Sequence, residues 1–120
     1  MLKKLILTAM LFSTAAHAKF IHPMDFDGSE AQKEEVMEYI KDNVKKDYCG
    51  KLDMCQASNL RMMERENLNA FKKATQAKNR KIMDRVIRDY CTSGLDMCSY
   101  INIQMMYEEN NQADNETLSW

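Results

Sequence analysis

The chain contains an internal repeat that carries its four cysteines in pairs. The tripeptide Asp-Tyr-Cys stands at 47–49 and again at 89–91, and Leu-Asp-Met-Cys stands at 52–55 and again at 95–98. The offset between the copies rises from 42 to 43 residues between the two blocks, so a single residue has been inserted in the segment that joins them. The pattern indicates a duplicated supersecondary unit with two cysteines in each copy.

The first eighteen residues have the features of a secretory signal peptide. Lys3 and Lys4 precede an apolar run at 5–12, and Ala16-His17-Ala18 is a small-x-small cleavage site that would leave Lys19 first. No later stretch approaches the roughly 20 apolar residues of a membrane span. We therefore expect a periplasmic or secreted protein without a membrane-spanning segment.

An even number of cysteines in an oxidising compartment predicts disulfide bonds, here two. Of the three possible pairings, Cys49 with Cys55 and Cys91 with Cys98 close the shortest loops, each around a predicted turn. Bonds that close such short loops are expected to stabilise the fold by about 2–3 kcal/mol each.

The apolar residues recur at helical spacing, and the chain has no proline beyond Pro23. We predict an extended segment at 19–28 and then one helical domain at 29–120, with repeat copies at about 29–73 and 76–114. Each copy is read as two helices whose junction contains a glycine. The predicted boundary residues are the N-caps Ser29, Asp53 and Asp96, the C-cap Gly50, the breaker Gly94 and a turn at 75–79. The fold class is all-α, a four-helix up-down bundle of two disulfide-stapled hairpins.

The repeated residues of the second helix in each copy fall within one arc of about 140°. We interpret that arc as a face toward the core. It includes Met62 and Met63, which recur as Met105 and Met106. These four thioethers are candidate soft ligands for Cu(I), although methionine also fills irregular space between helices and that interpretation is preferred.

The sequence contains no recognisable catalytic constellation. After cleavage the only histidine is His22, and no Ser-His-Asp spacing or zinc motif occurs. We therefore predict neither an enzyme nor a bound cofactor.

The last helix departs from the repeat in a way that suggests a contact surface. Tyr100, Ile101 and Tyr107 widen its apolar face, and tyrosine is enriched at interfaces. They are the candidate partner-binding residues. Two fates remain open for them, a partner (a homodimer included) or coverage by apolar residues at 20–26.

The functional hypothesis is a small helical binding protein that recognises another envelope or secreted protein, such as an inhibitor or immunity protein. Nucleic acid is a poor candidate partner because the formal net charge is −1. A methionine-rich copper-binding protein and an envelope stress chaperone are the alternatives.

Overall fold

Helices form most of the part of the chain that the structure, a computed structural model, describes, namely residues 18–120. The predicted signal peptide lies outside these residues except for Ala18. The helices are α1 (Glu30–Lys45), α2 (Ala57–Ala74), α3 (Arg80–Cys91) and α4 (Tyr100–Asp114). A 3-10 turn at Pro23–Asp25 precedes α1, and a π-helical turn at Lys46–Lys51 follows it. No strand occurs between residues 18 and 120, so the all-α prediction is confirmed for the described chain.

The predicted disulfide pairing is also confirmed. Cys49 is bonded to Cys55 and Cys91 to Cys98. Within the described chain, no helix has the length and apolar character needed to cross a membrane.

Ser29 is the N-cap of α1, as predicted. The Ser29 hydroxyl accepts a hydrogen bond from the Gln32 backbone N–H at 3.2 Å. The Gln32 side chain reaches back to the backbone N–H of Asp27, at 2.9 Å, instead of that of Ser29. The Asp27 carboxylate accepts from the Ser29 N–H in turn. These bonds satisfy donors that helix geometry would otherwise leave unpaired.

The helix boundaries near the cysteines differ from the prediction. Gly50 does not end a helix in the left-handed region, because the backbone continues through the π-helical turn to Lys51. Asp53 is not an N-cap, since α2 begins four residues later at Ala57. Asp96 is not one either; it has φ +50°, and Ser99 caps α4. In each loop the next helix begins two residues after the second cysteine of the disulfide, at Ala57 and at Tyr100.

The turn between the two halves lies where the pattern places it. The helix α2 ends at Ala74, and α3 begins at Arg80 with Asn79 as its N-cap. The Asn79 side chain accepts from the Ile82 N–H at 3.2 Å.

The core lies around α2, which contacts α1, α4 and the 3-10 turn, while α3 packs on α4. The largest fully buried side chains come from all four helices and from the N-terminal segment: Tyr100, Phe71, Met83, Ile103, Val36 and Pro23.

The interpretation of the repeated arc as an inward face is only partly correct. Asn67 is buried and Met63 half-buried, but Glu66 is exposed and Met62 and Met105 are about half exposed. The buried stripe of α2 is centred instead on Asn67, Phe71 and Ala74, because α1 and α4 press on that side. Some repeated residues therefore face solvent.

Candidate functional site

Tyr100, one of the candidate partner-binding residues, is fully buried beneath the N-terminal segment. The Phe20 ring stacks on its ring with centroids 5.3 Å apart, and the Phe71 ring meets it edge-on at 4.8 Å. Its hydroxyl donates to the Ile21 carbonyl at 2.9 Å and accepts from the Ile21 N–H at 3.1 Å. Burial raises the pKa of this phenol. Of the two possibilities for Tyr100, the structure shows the second: the N-terminal segment of the same chain covers it.

Tyr107 is buried as well and supports the turn between α2 and α3. Its hydroxyl accepts hydrogen bonds from the backbone N–H groups of Lys78 and Asn79, at 3.2 Å and 3.1 Å. Ile101 is the one candidate partner residue of the three that stays partly exposed. The three residues therefore do not form one exposed surface.

The N-terminal segment is fixed to α3 by polar contacts. Arg80 donates to both carboxylate oxygens of Asp25, at 2.6 Å and 2.9 Å. His22 Nε2 lies 2.7 Å from the Asp84 carboxylate, and His22 Nδ1 accepts from the Met24 N–H. The contact to Arg80 lowers the pKa of Asp25. Both ring nitrogens of His22 are thus engaged in holding the segment.

Ile101 lines an open groove of about 460 Å³ between α2 and α4, here named the α2–α4 groove. Its apolar wall also includes Met63, Ala70 and Met105. Charged and amide groups complete the lining: Glu66, Asn69, Lys73, Gln104 and Glu108. The groove is the place where a candidate partner residue and two of the candidate copper ligands come together.

The four candidate copper ligands do not all meet there. Met63 and Met105 line the α2–α4 groove, whereas Met62 and Met106 are not among its lining residues. Among residues 18–120, no group of three or more His, Cys, Asp or Glu side chains is arranged to hold a metal ion. All four cysteines are in disulfides.

A second candidate site is formed by the two disulfide-bonded loops, residues 49–55 and 91–98, named here the paired loops. Lys51 Nζ of the first loop lies 2.6 Å from the Asp96 carboxylate of the second, and Lys46 Nζ lies 2.8 Å from it. These contacts place the loops side by side. The hydrogen bonds from the two lysines lower the pKa of Asp96 to about 2.

The paired loops are also tied to α1. The Tyr39 hydroxyl and the Asn43 side-chain amide both donate to the Cys98 carbonyl. Burial, together with the nearby carboxylates of Asp96 and Asp47, raises the pKa of Tyr39 to about 12. The second loop is therefore held from α1 as well as by its own disulfide.

Each loop exposes a leucine and a methionine at equivalent positions of the repeat. The exposed fractions of Leu52, Met54, Leu95 and Met97 lie between 43% and 59%. The Leu-Asp-Met-Cys repeat contains all four residues, although none of them was predicted to bind a partner. Their signal was the retention of large apolar residues in a segment predicted to be a turn.

Comparison with known proteins adds no relationship. No family model matches the chain, and neither the curated proteins nor the solved structures include a significant match.

Proposed function

We propose that the protein is a periplasmic or secreted binding protein that recognises another envelope protein through the paired loops. The observation that carries the proposal is the exposure of Leu52, Met54, Leu95 and Met97 on two loops that the Lys51–Asp96 ion pair holds side by side. Exposed apolar residues in a cluster are typical of interaction sites. Duplicated positions that face solvent have no packing reason to remain leucine and methionine.

The surroundings of these residues favour an apolar protein surface as the partner. Lys46 and Lys51 are within ion-pair distance of Asp96, and Lys51 is also within ion-pair distance of Asp47, so two ammonium groups face two carboxylates and the charges compensate one another. A compensated surface attracts neither polyanions nor polycations strongly. Two disulfides hold the loops in place before binding, which reduces the conformational entropy lost on association. An inhibitor or immunity protein is the form of binding protein we propose for this rigid surface.

Site-specific photo-crosslinking tests the proposal. A benzoylphenylalanine residue at position 95 should give a discrete adduct with an envelope protein, and the same residue at the exposed position 81 on α3 should not. Excess unlabelled wild-type protein should suppress the adduct. A Leu52→Ala/Leu95→Ala double variant should compete poorly, because it lacks two of the four apolar side chains.

Two outcomes would count against this function. One is the absence of any adduct specific to position 95, and the other is equal competition by the double variant. A broad mixture of adducts with unfolded proteins would instead support the alternative proposal of a stress chaperone.

Copper binding is the second candidate function, and it rests on Met63 and Met105 sharing the α2–α4 groove. Thioether sulfur is a ligand that Cu(I) accepts. Intact-protein mass spectrometry with and without Cu(I) tests it. Bound copper should disappear when Met62, Met63, Met105 and Met106 are all changed to leucine.

The proposed location rests on the disulfides, which persist in oxidising compartments. Amino-terminal sequencing of the exported protein should find Lys19 as the first residue. A protein that kept Met1 and stayed with the cytoplasmic fraction would contradict the location.

We also propose that the fold is an up-down bundle produced by duplication of one helical hairpin. The sequence repeat supports it, as do the contacts of α1 with α2, of α3 with α4 and of α2 with α4. Mixing separately produced halves, 19–75 and 76–120, tests the idea, since two related hairpins should reassociate into a helical complex.

A further inference from the structure

The α2–α4 groove contains a buried acceptor that has no donor. Gln104 is only 7% exposed, and its Nε2 donates to Glu108 Oε1 at 2.9 Å. A carboxylate oxygen can only accept in this contact, so the amide orientation is fixed. The other amide atom, Oε1, is buried and makes no hydrogen bond to any described residue. A buried acceptor without a partner destabilises the folded protein, and a bound donor would remove that cost.

The charges in the groove favour a cationic donor. Two carboxylates, Glu66 and Glu108, line it together with one ammonium group, that of Lys73. Lys73 Nζ lies 2.6 Å from Glu108 Oε1, and this contact lowers the pKa of Glu108. No ion pair forms at Glu66 within residues 18–120. One further positive charge would therefore balance the groove.

The remaining lining favours an apolar stem on that cation. Met63 and Ala70 of α2 face Ile101 and Met105 of α4 across the groove. Methionine adapts its shape to an incoming alkyl chain. A guanidinium has five N–H donors in a planar fork, enough to reach an amide oxygen and a carboxylate together, whereas an ammonium has three on one atom.

We propose that the α2–α4 groove binds an arginine side chain of another polypeptide. The guanidinium donates to the carboxylates of Glu66 and Glu108, and the alkyl stem lies along Met63, Ile101 and Met105. Because Gln104 Oε1 is buried in the free protein, the Gln104 side chain rotates toward the groove to accept from the guanidinium as well. Lys73 occupies part of the cation position in the free protein and competes with the incoming arginine. This site is separate from the paired loops, so the tests of the two sites are independent of each other.

Two matched peptides test the proposal against the oxidised protein. Acetyl-Gly-Leu-Arg-Leu-Gly-amide is compared with the same peptide in which neutral citrulline replaces arginine, by NMR titration of the 15N-labelled chain. We expect the arginine peptide to shift the backbone amides of Ile101 and Met105. The citrulline peptide should bind at least about tenfold more weakly, because it lacks the charge that strengthens the hydrogen bonds.

Variants of the groove sharpen the test. Gln104→Met should weaken arginine-peptide binding by about tenfold, since it removes the acceptor at similar volume. Lys73→Met should strengthen binding by about two- to fivefold, because the competing exposed cation is gone. Glu34→Gln removes an exposed carboxylate on α1 that does not line the groove, and it should leave binding unchanged.

Glu66→Gln keeps the proposal testable if Gln104→Met fails to fold. Glu66 is exposed, so its replacement should preserve the fold while weakening arginine-peptide binding. Equal binding of the arginine and citrulline peptides would overturn the proposal. So would the absence of any shift at the groove, or wild-type affinity in the folded Glu66→Gln variant.

Discussion

The helices α2 and α4 occupy equivalent places in the sequence repeat, yet they do different work in the fold. Where α2 has the exposed Ala57 and the half-buried Glu64, α4 has the buried residues Tyr100 and Tyr107. Each tyrosine hydroxyl bonds backbone groups of a distant segment, Ile21 in one case and the α2–α3 turn in the other. At these two positions α4 supplies hydrogen bonds to the N-terminal segment and to the α2–α3 turn, and the equivalent residues of α2 do not.

The replacement of Tyr100 should have the largest effect. Tyr100→Ala empties a fully buried site and leaves the Ile21 N–H without its acceptor. We expect the free energy of unfolding to fall by about 3–5 kcal/mol, as for other large-to-small changes at buried aromatic sites. Urea denaturation followed by circular dichroism measures it.

The equivalent position in α2 provides the control. Ala57→Tyr places the same ring at an exposed site and should change stability by no more than about 0.5 kcal/mol. Equal effects at positions 57 and 100 would contradict the distinction between the two helices.

The disulfides should rank next, and they should be nearly equal. Replacing both cysteines of either pair by serine opens a loop of similar length, with separations of 6 and 7 residues. The loss should be about 2 kcal/mol for each pair because the constraint on the unfolded chain is comparable. A much larger loss for Cys91 and Cys98 would show that the contacts of Tyr39 and Asn43 to Cys98 depend on that bond.

A smaller effect is expected at Tyr107. Tyr107→Phe keeps the ring but removes the acceptor for the N–H groups of Lys78 and Asn79. We expect a loss of about 1–2 kcal/mol, together with faster amide hydrogen exchange at those two residues. Glu64→Gln, the matched change in α2, removes the charge of a half-buried carboxylate that pairs with the exposed Arg61, and it should cost no more than about 1 kcal/mol.

The smallest expected effect is a loss of folding stability at low pH. It comes from Asp96, which lies in the second of the paired loops. The pKa of Asp96 is about 2 in the folded protein, below its ordinary value of 3.8. The folded state therefore binds this proton more weakly than the unfolded state does, so the contribution is complete above about pH 5 and is lost as the pH falls through 3.8 toward 2.

Asp96→Asn should thus reduce stability at pH 6 and make little difference near pH 2. Asparagine suits the positive φ at this position, so the backbone should not be strained by the change. Asp53→Asn is the repeat-equivalent control. Thermal unfolding of the three proteins across this pH range gives the comparison, and a pH-independent difference for Asp96→Asn would contradict the ion-pair explanation.

Apolar periodicity predicted the helices, and the short separation within each cysteine pair predicted the disulfides, because both depend on neighbouring residues. The cap at Ser29 and the turn at 75–79 follow from neighbouring residues in the same way. The caps predicted at Asp53 and Asp96 were wrong, since residue preference alone does not include the disulfide next to them. Asp96 bonds two lysines about 50 residues away, which no local pattern contains.

The candidate site was harder to predict for a related reason. An apolar arc shows which side of a helix is buried only when the positions of the neighbouring helices are known. Tyr100 has the aromatic ring expected of an interface residue, but its hydroxyl hydrogen-bonds the backbone of Ile21, 79 residues earlier in the chain. The sequence does not show that Gln104 Oε1 lacks a hydrogen-bond donor, because that depends on how closely α4 approaches α2.

The order of the cysteine bonds has a consequence for biosynthesis. Each cysteine is joined to the next one in the chain, six or seven residues further on. When the polypeptide emerges with its N-terminus first, the next cysteine to appear after Cys49 or Cys91 is therefore its correct partner. Oxidation in order of appearance already yields the final connectivity, without later thiol–disulfide exchange to correct it.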